Sequence, residues 1–144
     1  MVKLTKVDLS MFSLKAHDQG SQNSCVWNAI ASTLEIMSRI AGNPVADLSR
    51  QQGYNDTRIA MNKFTTDGGS NIDVAWTVAK TIGIATEASF KYSIDNLYVK
   101  PGEAVHELAA TQKVGGWPTR LRNNRGGLVY SKLQRSEFVD RVGN

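Results

Sequence analysis

Gln19 and Cys25 are the two residues of this 144-residue chain whose types and spacing best suit acyl-transfer chemistry. Gly20 and Ser21 between them favour a loop, and an apolar pattern typical of a helix begins directly after Cys25. A thiol in the first turn of a helix meets unpaired backbone N–H groups and the positive end of the helix dipole, which stabilise a thiolate. An amide side chain that folds back from the loop would form an oxyanion hole with the Cys25 backbone N–H. The segment therefore indicates a cysteine nucleophile beside its oxyanion donor.

The helix that must position Cys25 is predicted from about Ser24 to Ala41. Ser24 is its predicted N-cap, and Gly42-Asn43-Pro44 is the predicted stop. The helix should be largely buried, because apolar residues recur at steps of four, four, three and four and further apolar residues widen that face. These positions are Val26, Ile30, Leu34, Met37 and Ala41, with Ala29, Ile36 and Ile40 beside them.

The other predicted elements are shorter. Ser70 and Asp73 form a capping box that opens a helix ending at Gly83, and a helix from Glu103 to Lys113 should be buried through Val105, Leu108 and Ala109. Ahead of Cys25, an extended approach should pack on the domain through Leu9, Met11, Phe12 and Leu14. The remaining segments are weak helices at 45–52 and 56–62, a loop at 65–70, an irregular stretch at 84–92, a strand at 128–130 and a short helix at 136–142.

Several segments match one known family in the same order. Asp18-Gln19-Gly20-Ser21-Gln22-Asn23-Ser24-Cys25 resembles the nucleophile segment of papain-like cysteine peptidases. Leu48-Ser49-Arg50-Gln51-Gln52 is similar to the family's Leu-Ser-x-Gln segment. Asp67-Gly68-Gly69-Ser70 and Glu87-Ala88-Ser89-Phe90-Lys91-Tyr92 are similar to its Gly-Gly segment and its Pro-Tyr-like landmark. The resemblance covers roughly residues 7 to 92. It implies an α+β, papain-like fold built around the central helix that starts at Cys25, with Cys25 as nucleophile, Gln19 in the oxyanion hole, and Gly68 and Gly69 along the substrate groove.

The chain also departs from the family. Asn23 stands where the family has glycine, Val26 follows Cys25, and the expected aromatic residue comes one place late as Trp27. The family's catalytic His and Asn lie about 130–150 residues beyond the cysteine, whereas this chain continues for 144 − 25 = 119 residues. An Asn-Ser-Trp segment is absent. We therefore expect residues 1–144 to form a single truncated domain with a reduced or absent β-barrel half.

Two histidines remain as candidate bases. His106 lies 81 residues after Cys25, a spacing that resembles the compact leader peptidases of bacteriocin exporters. The surrounding Ala104-Val105-His106-Glu107-Leu108-Ala109-Ala110 predicts a helix with the imidazole on its solvent face. His17 lies on the approach segment, where a flexible arm would not hold an imidazole in place. We expect neither to reach the thiol, although a catalytic His106 is kept as an alternative.

Composition narrows the classes of protein to which this chain can belong. Hydrophobic residues make up 41% and charged residues 21% of the chain, which is typical of a globular domain. One cysteine and two histidines exclude an internal disulfide framework and cysteine-rich zinc sites, so we expect neither metal nor cofactor. Apolar runs fall short of the ~20 residues that span a bilayer, and the N-terminus lacks a secretory pattern. These features favour the cytoplasm, or a particle assembled there, over a membrane.

The positive net charge of the chain, +4, is concentrated in the C-terminal segment 113–144, which carries seven Lys and Arg residues against two Asp and Glu residues. A solvated basic tail is the simpler interpretation, and contacts with protein subunits or peptides are favoured over nucleic acid. The sequence thus favours a catalytically incomplete papain-like protein, a pseudoenzyme with a structural, assembly or peptide-binding role, for example in a phage or other particle. The alternative is an active compact cysteine peptidase that pairs Cys25 with His106 or with a histidine from another chain.

Overall fold

Four α-helices and a β-hairpin supply the regular secondary structure of the described residues. The computed structural model describes residues 8–13, 15–42, 44–45, 47–114, 118–122 and 128–132. Its helices are α1 (Cys25–Ile40), α2 (Arg50–Ala60), α3 (Ile72–Thr81) and α4 (Glu103–Ala110), and its strands are β1 (Pro118–Arg122) and β2 (Leu128–Lys132). Short 3-10 turns occur at Ser10–Phe12 and Ile94–Asn96. None of the described helices combines the length and apolar character needed to cross a membrane.

Helix α1 begins at Cys25 and ends at Ile40, within one residue of its predicted bounds. Its buried face differs from the predicted one, because Trp27 is completely buried while Ile40 is exposed. The indole N–H of Trp27 donates to Thr57 Oγ1 at 2.7 Å. Burial of the largest apolar side chain, with its one donor satisfied, sets the rotation of the helix. The core residues of α1 are Trp27, Ile30, Ala31 and Leu34.

Helix α2 is one continuous helix, so the prediction of two separate weak helices at 45–52 and 56–62 was wrong. Ser49 caps its N-terminus, where Ser49 Oγ accepts from the Gln52 N–H at 3.1 Å. Eight consecutive residues, Gln51 to Arg58, are buried, although most of them are polar. A helix without an apolar stripe can be buried in this way only when its polar side chains find partners.

Those partners are largely backbone groups of the loops around α2. Asn55 Nδ2 donates to the carbonyls of Asn96 and Val99, both at 2.8 Å. Gln52 Oε1 accepts from the Ala85 N–H at 2.9 Å. Buried Arg58 donates to three loop carbonyls: Phe64 O at 3.1 Å, Thr66 O at 3.0 Å and Leu97 O. The side chains of α2 therefore hold the irregular segments around it in place through hydrogen bonds to their backbone groups.

Helix α3 follows the predicted loop, but its cap differs from the predicted capping box. Asn71 Oδ1 accepts from the N–H groups of Asp73 and Val74 at 2.8 and 3.2 Å, so Asn71 and not Ser70 is the N-cap. The helix is followed by Gly83, whose φ of +96° suits glycine. The stretch after it is irregular, as predicted, with one isolated antiparallel bridge between Leu48 and Thr86.

Helix α4 packs its C-terminal end against Gly83. An added Cβ on Gly83 would lie 2.0 Å from the Ala109 carbonyl oxygen, so the contact requires glycine. Ala109 is buried as predicted, but Leu108 is exposed. The predicted inner face was therefore partly wrong, because α4 turns His106 and not Leu108 towards α2.

The predicted strand at 128–130 lies within β2, which pairs antiparallel with β1 so that Leu121 is opposite Val129. The predicted helix at 136–142 lies outside the described residues. Leu9 and Met11 are exposed, so their predicted packing was wrong, and Phe12 is partly buried. Leu14 also lies outside the described residues.

Candidate functional site

Cys25 is the first residue of α1, and it is exposed. The preceding loop turns at Gly20, whose φ is +57°. Ser24 occupies the N-cap position, but its side chain makes no capping hydrogen bond. The thiol therefore lies at an accessible helix N-terminus whose first amides are not capped by serine.

The Gln19 side chain folds back into the loop that leads to Cys25. Its Nε2 donates to the Gln22 carbonyl at 3.0 Å. Gln22 is itself buried and exchanges hydrogen bonds of 2.9 and 3.0 Å with Gln51 on α2. Across the part of the chain that the structure describes, no side chain is hydrogen-bonded to Cys25 Sγ. The role of Gln19 as an oxyanion donor stays a prediction.

Tyr92 joins both ends of this loop. Its hydroxyl donates to the Gln19 carbonyl at 2.7 Å and also contacts Ser24 Oγ. The Arg50 guanidinium lies 4.0 Å from the centre of the Tyr92 ring, and Arg50 also donates to Asn28 Oδ1 at 2.6 Å. Tyr92 was noticed in the sequence only as part of the family landmark, and its partners have no local sequence signal.

Asp67 ties the Cys25 loop to the loop that carries Gly68 and Gly69. The Asn23 N–H donates to both Asp67 carboxylate oxygens at 3.1 Å, and Asn23 Nδ2 donates to the Asp67 carbonyl at 2.6 Å. Gly69 has a φ of +82°, and an added Cβ there would lie 3.7 Å from the Asn23 carbonyl oxygen. The two loops are therefore neighbours, while substrate binding by Gly68 and Gly69 stays a prediction.

Tyr54 of α2 holds the loop of Asp67 and Gly69 through its hydroxyl. Its hydroxyl donates to Asp67 Oδ1 at 2.5 Å and accepts from the Gly69 N–H at 3.2 Å. Burial raises the pKa of Tyr54 well above its ordinary value, and the hydrogen bond to the Asp67 carboxylate raises it further. Tyr54 is therefore a neutral hydrogen-bond donor throughout the physiological pH range.

His17 is paired with a buried carboxylate. Its Nε2 lies 3.1 Å from Glu35 Oε2, and the side chain is only 8% exposed. Glu35 uses its other oxygen to accept from the Leu48 N–H at 2.9 Å. The expected flexible position of His17 was wrong, because this pair fixes the imidazole against α1.

His106 lies on α4, as predicted, but its ring is turned towards α2. Its Nε2 lies 3.0 Å from both oxygens of Asp56, whose side chain is 3% exposed against 38% for His106. Gln52 Nε2 also donates to Asp56, at 2.5 Å. Burial raises the pKa of Asp56, while the hydrogen bonds from Gln52 and His106 act in the opposite direction. The prediction of a solvent-facing imidazole was therefore wrong in part.

The structure thus brings Gln19, Cys25 and the Gly68–Gly69 loop to one region, and it pairs both histidines with carboxylates of α1 and α2. Neither imidazole is hydrogen-bonded to Cys25 Sγ within the described part of the chain. Those residues also contain no group of three or more His, Cys, Asp or Glu side chains that could hold a metal ion. The chemistry available at this region is that of an exposed thiol beside backbone donors.

The described helices have a papain-like fold, consistent with the helical half of cysteine peptidases of that class. The comparison rests on xylellain, a cysteine protease from Xylella fastidiosa, which superposes with a TM-score of 0.66 at 21% sequence identity. The match covers 69% of this chain and 42% of that one, so it spans less than half of the relative. At this identity the likeness shows the fold alone. Comparison with protein-family models and with curated proteins found no match.

Proposed function

We propose that these 144 residues form a papain-like domain that binds extended peptide segments beside Cys25 and Gly68–Gly69 without cleaving them. Such a domain suits a structural or assembly role, in which it holds peptide segments of neighbouring subunits, for instance in a phage or other particle. The proposal is consistent with the papain-like fold and with the junction between the Asn23 and Gly69 loops.

The proposal rests on the pairing of both histidines with carboxylates. A general base must lie about 2.6–3.2 Å from the proton that it takes, or reach it through a water. The Nε2 atoms of His17 and His106 lie 3.0–3.1 Å from Glu35 and Asp56, and within the described residues neither ring is hydrogen-bonded to the Cys25 sulfur. Because the sequence contains two histidines, no third imidazole is available from these 144 residues.

The exposed thiol favours one second candidate, a hydrolase whose imidazole comes from another chain. Both candidates are tested with a pool of unstructured decapeptides and two readouts, bound peptide by equilibrium dialysis and new N-termini by mass spectrometry. We expect wild type and Cys25→Ala to bind equally and to cleave nothing. Cleavage by wild type that Cys25→Ala abolishes would favour the hydrolase, and absence of binding by either chain would refute the proposal.

A groove-blocking variant locates the binding surface. An added Cβ on Gly68 would contact only Thr66 Oγ1, at 3.6 Å, so Gly68→Trp should fold and place a large side chain on the loop that neighbours the Cys25 loop. Gly102→Trp is the matched control, because an added Cβ there meets nothing within 4 Å. We expect Gly68→Trp to lose peptide binding at least about tenfold, and Gly102→Trp to bind like wild type. Equal binding by both variants would place the peptide elsewhere.

A further inference from the structure

The Tyr92 hydroxyl contacts two residues that precede it by 73 and 68 positions, Gln19 and Ser24. We propose that Tyr92 is a positioning residue for Cys25: it holds the Ser24 hydroxyl away from the N-terminus of α1 and so keeps the first backbone amides open beside the thiol. The inference rests on the proposed function in that it concerns the same surface, but it is tested independently of peptide binding.

The direction of each hydrogen bond follows from counting hydrogens. Tyr92 has one hydroxyl hydrogen, and the Gln19 carbonyl can only accept, so that hydrogen points to Gln19. The Ser24 hydroxyl must then donate to Tyr92. Ser24 Oγ accepts from Asn28 Nδ2 at 3.0 Å, and Asn28 Oδ1 accepts from Arg50 at 2.6 Å. The result is a directed chain from Arg50 to Gln19, in which each bond polarises the next.

The Ser24 hydroxyl therefore donates to Tyr92 and accepts from the Asn28 side chain, and it caps none of the backbone amides of α1. Its backbone also departs from the extended geometry of a capping serine, with φ −101° and ψ 22°. The first helical bond is that of the Asn28 N–H to the Ser24 carbonyl, at 3.0 Å. Within the described ranges, nothing accepts from the amides of Cys25, Val26 or Trp27. Because Trp27 is completely buried, the donors that remain available to a negative charge on the Cys25 sulfur are the amides of Cys25 and Val26.

Burial stabilises the hydrogen bond between Ser24 and Tyr92. Ser24 is completely buried, so its hydroxyl has no bulk water to turn to. Tyr92 is held by the Arg50 guanidinium stacked at 4.0 Å on its ring. Removal of the Tyr92 hydroxyl would leave the Ser24 O–H without its acceptor and free the hydroxyl to turn, so that after a rotation of the backbone a lone pair of its oxygen can accept from an unpaired amide of α1.

A double-mutant cycle tests the proposal through the second-order rate of Cys25 alkylation by iodoacetamide. We expect Tyr92→Phe to slow alkylation about two- to fivefold, because the released Ser24 hydroxyl caps the amides next to the sulfur. Ser24→Ala should alkylate like wild type, and adding Tyr92→Phe to it should change nothing, because no hydroxyl is left to cap the helix. Tyr98→Phe, at an exposed tyrosine, is the matched control and should have no effect.

Two results would overturn the proposal: an unchanged rate in Tyr92→Phe, or an equal slowing in the Ser24→Ala background, which would indicate general loosening. Hydrogen exchange of the wild-type amides gives a test that needs no variant to fold. Cys25 and Val26 should exchange rapidly while Asn28 is protected, and protection of the first two would contradict an open helix end. Loss of peptide binding in the preceding experiments would leave these outcomes unaffected, so the two proposals fail separately.

Discussion

The indole ring of Trp27 lies directly against Gly53, on the face of α2 from which a side chain would otherwise project. An added Cβ at Gly53 would lie 2.3 Å from both Cε3 and Cζ3 of Trp27. The same indole donates to Thr57, one turn further along α2. A glycine in mid-helix is normally unfavourable by about 1 kcal/mol, and here it makes room for the Trp27 ring between α1 and α2.

Gly53→Ala should therefore destabilise the protein, although alanine is the better helix former. Because the added Cβ would lie 2.3 Å from a buried ring, we expect an overpacking penalty at the upper end of the usual range of about 1–3 kcal/mol. This penalty exceeds the gain in helix propensity of about 1 kcal/mol, so the free energy of unfolding in urea should be lower. Gly102→Ala, where the Cβ meets nothing, should stay within about 1 kcal/mol of wild type. A Gly53→Ala chain more stable than wild type would show that the indole can move aside.

Arg58 offers a second test of how α2 is held. Its guanidinium is completely buried and donates to the carbonyls of Phe64, Thr66 and Leu97. Arg58→Met keeps the apolar stem but leaves these acceptors unpaired, so we expect a loss of about 3–5 kcal/mol. Arg39→Met is the matched control, since partly exposed Arg39 contacts the Phe12 carbonyl, and it should lose about 1 kcal/mol. Equal losses, measured by urea unfolding, would argue against a central role for Arg58.

These contacts also explain which parts of the fold the sequence could predict. Helix α1 was found because its apolar spacing and its Gly42 stop are local signals, and α3 and the strand in β2 were found for the same reason. Helix α2 was missed as a single element because its stability comes from polar side chains paired with distant backbone groups. The rotation of α1 was missed because it depends on the space that Gly53 leaves for Trp27.

The candidate site likewise has features that the sequence could predict and features that it could not. The positions of Gln19 and Cys25 at a loop and a helix start follow from their local pattern. The links that fix them do not, because Asn23 and Asp67 are 44 residues apart and Ser24 and Tyr92 are 68 apart. Hydrogen bonds of this kind carry no periodicity, so a single sequence cannot indicate them. The same holds for the turn of His106 towards Asp56.

Asp67→Ala tests the junction between the Cys25 loop and the Gly69 loop. The substitution removes the acceptor of both the Asn23 N–H and the buried Tyr54 hydroxyl, so we expect a loss of about 1–3 kcal/mol in urea unfolding. Hydrogen exchange at Asn23 should accelerate at the same time. Asp73→Ala removes a carboxylate from the first turn of α3 and should cost about 0.3–1 kcal/mol. Unchanged exchange at Asn23 would mean that Asp67 does not hold the loop.

The pH dependence of stability should reveal the buried carboxyl of Asp56. Burial raises its folded pKa above the ordinary value of 3.8, so the folded protein binds the proton more tightly than the unfolded chain does. Between these two pKa values the folded state carries more protons, and the free energy of unfolding must fall as pH rises. The contribution of Asp56 is thus fully present below 3.8 and is lost as pH rises through the folded pKa.

Asp56→Asn removes this titration and keeps the shape of the side chain. Its amide can still accept from Gln52 Nε2, and it can donate to a neutral His106. We therefore expect the stability of Asp56→Asn relative to wild type to increase as pH rises from 4 to 8, measured by urea unfolding at each pH. In a His106→Gln background the increase should be larger, because the hydrogen bond and the charge of His106 both lower the pKa of Asp56. A relative stability that decreases with rising pH would show that attraction to His106 outweighs the cost of burying the carboxylate.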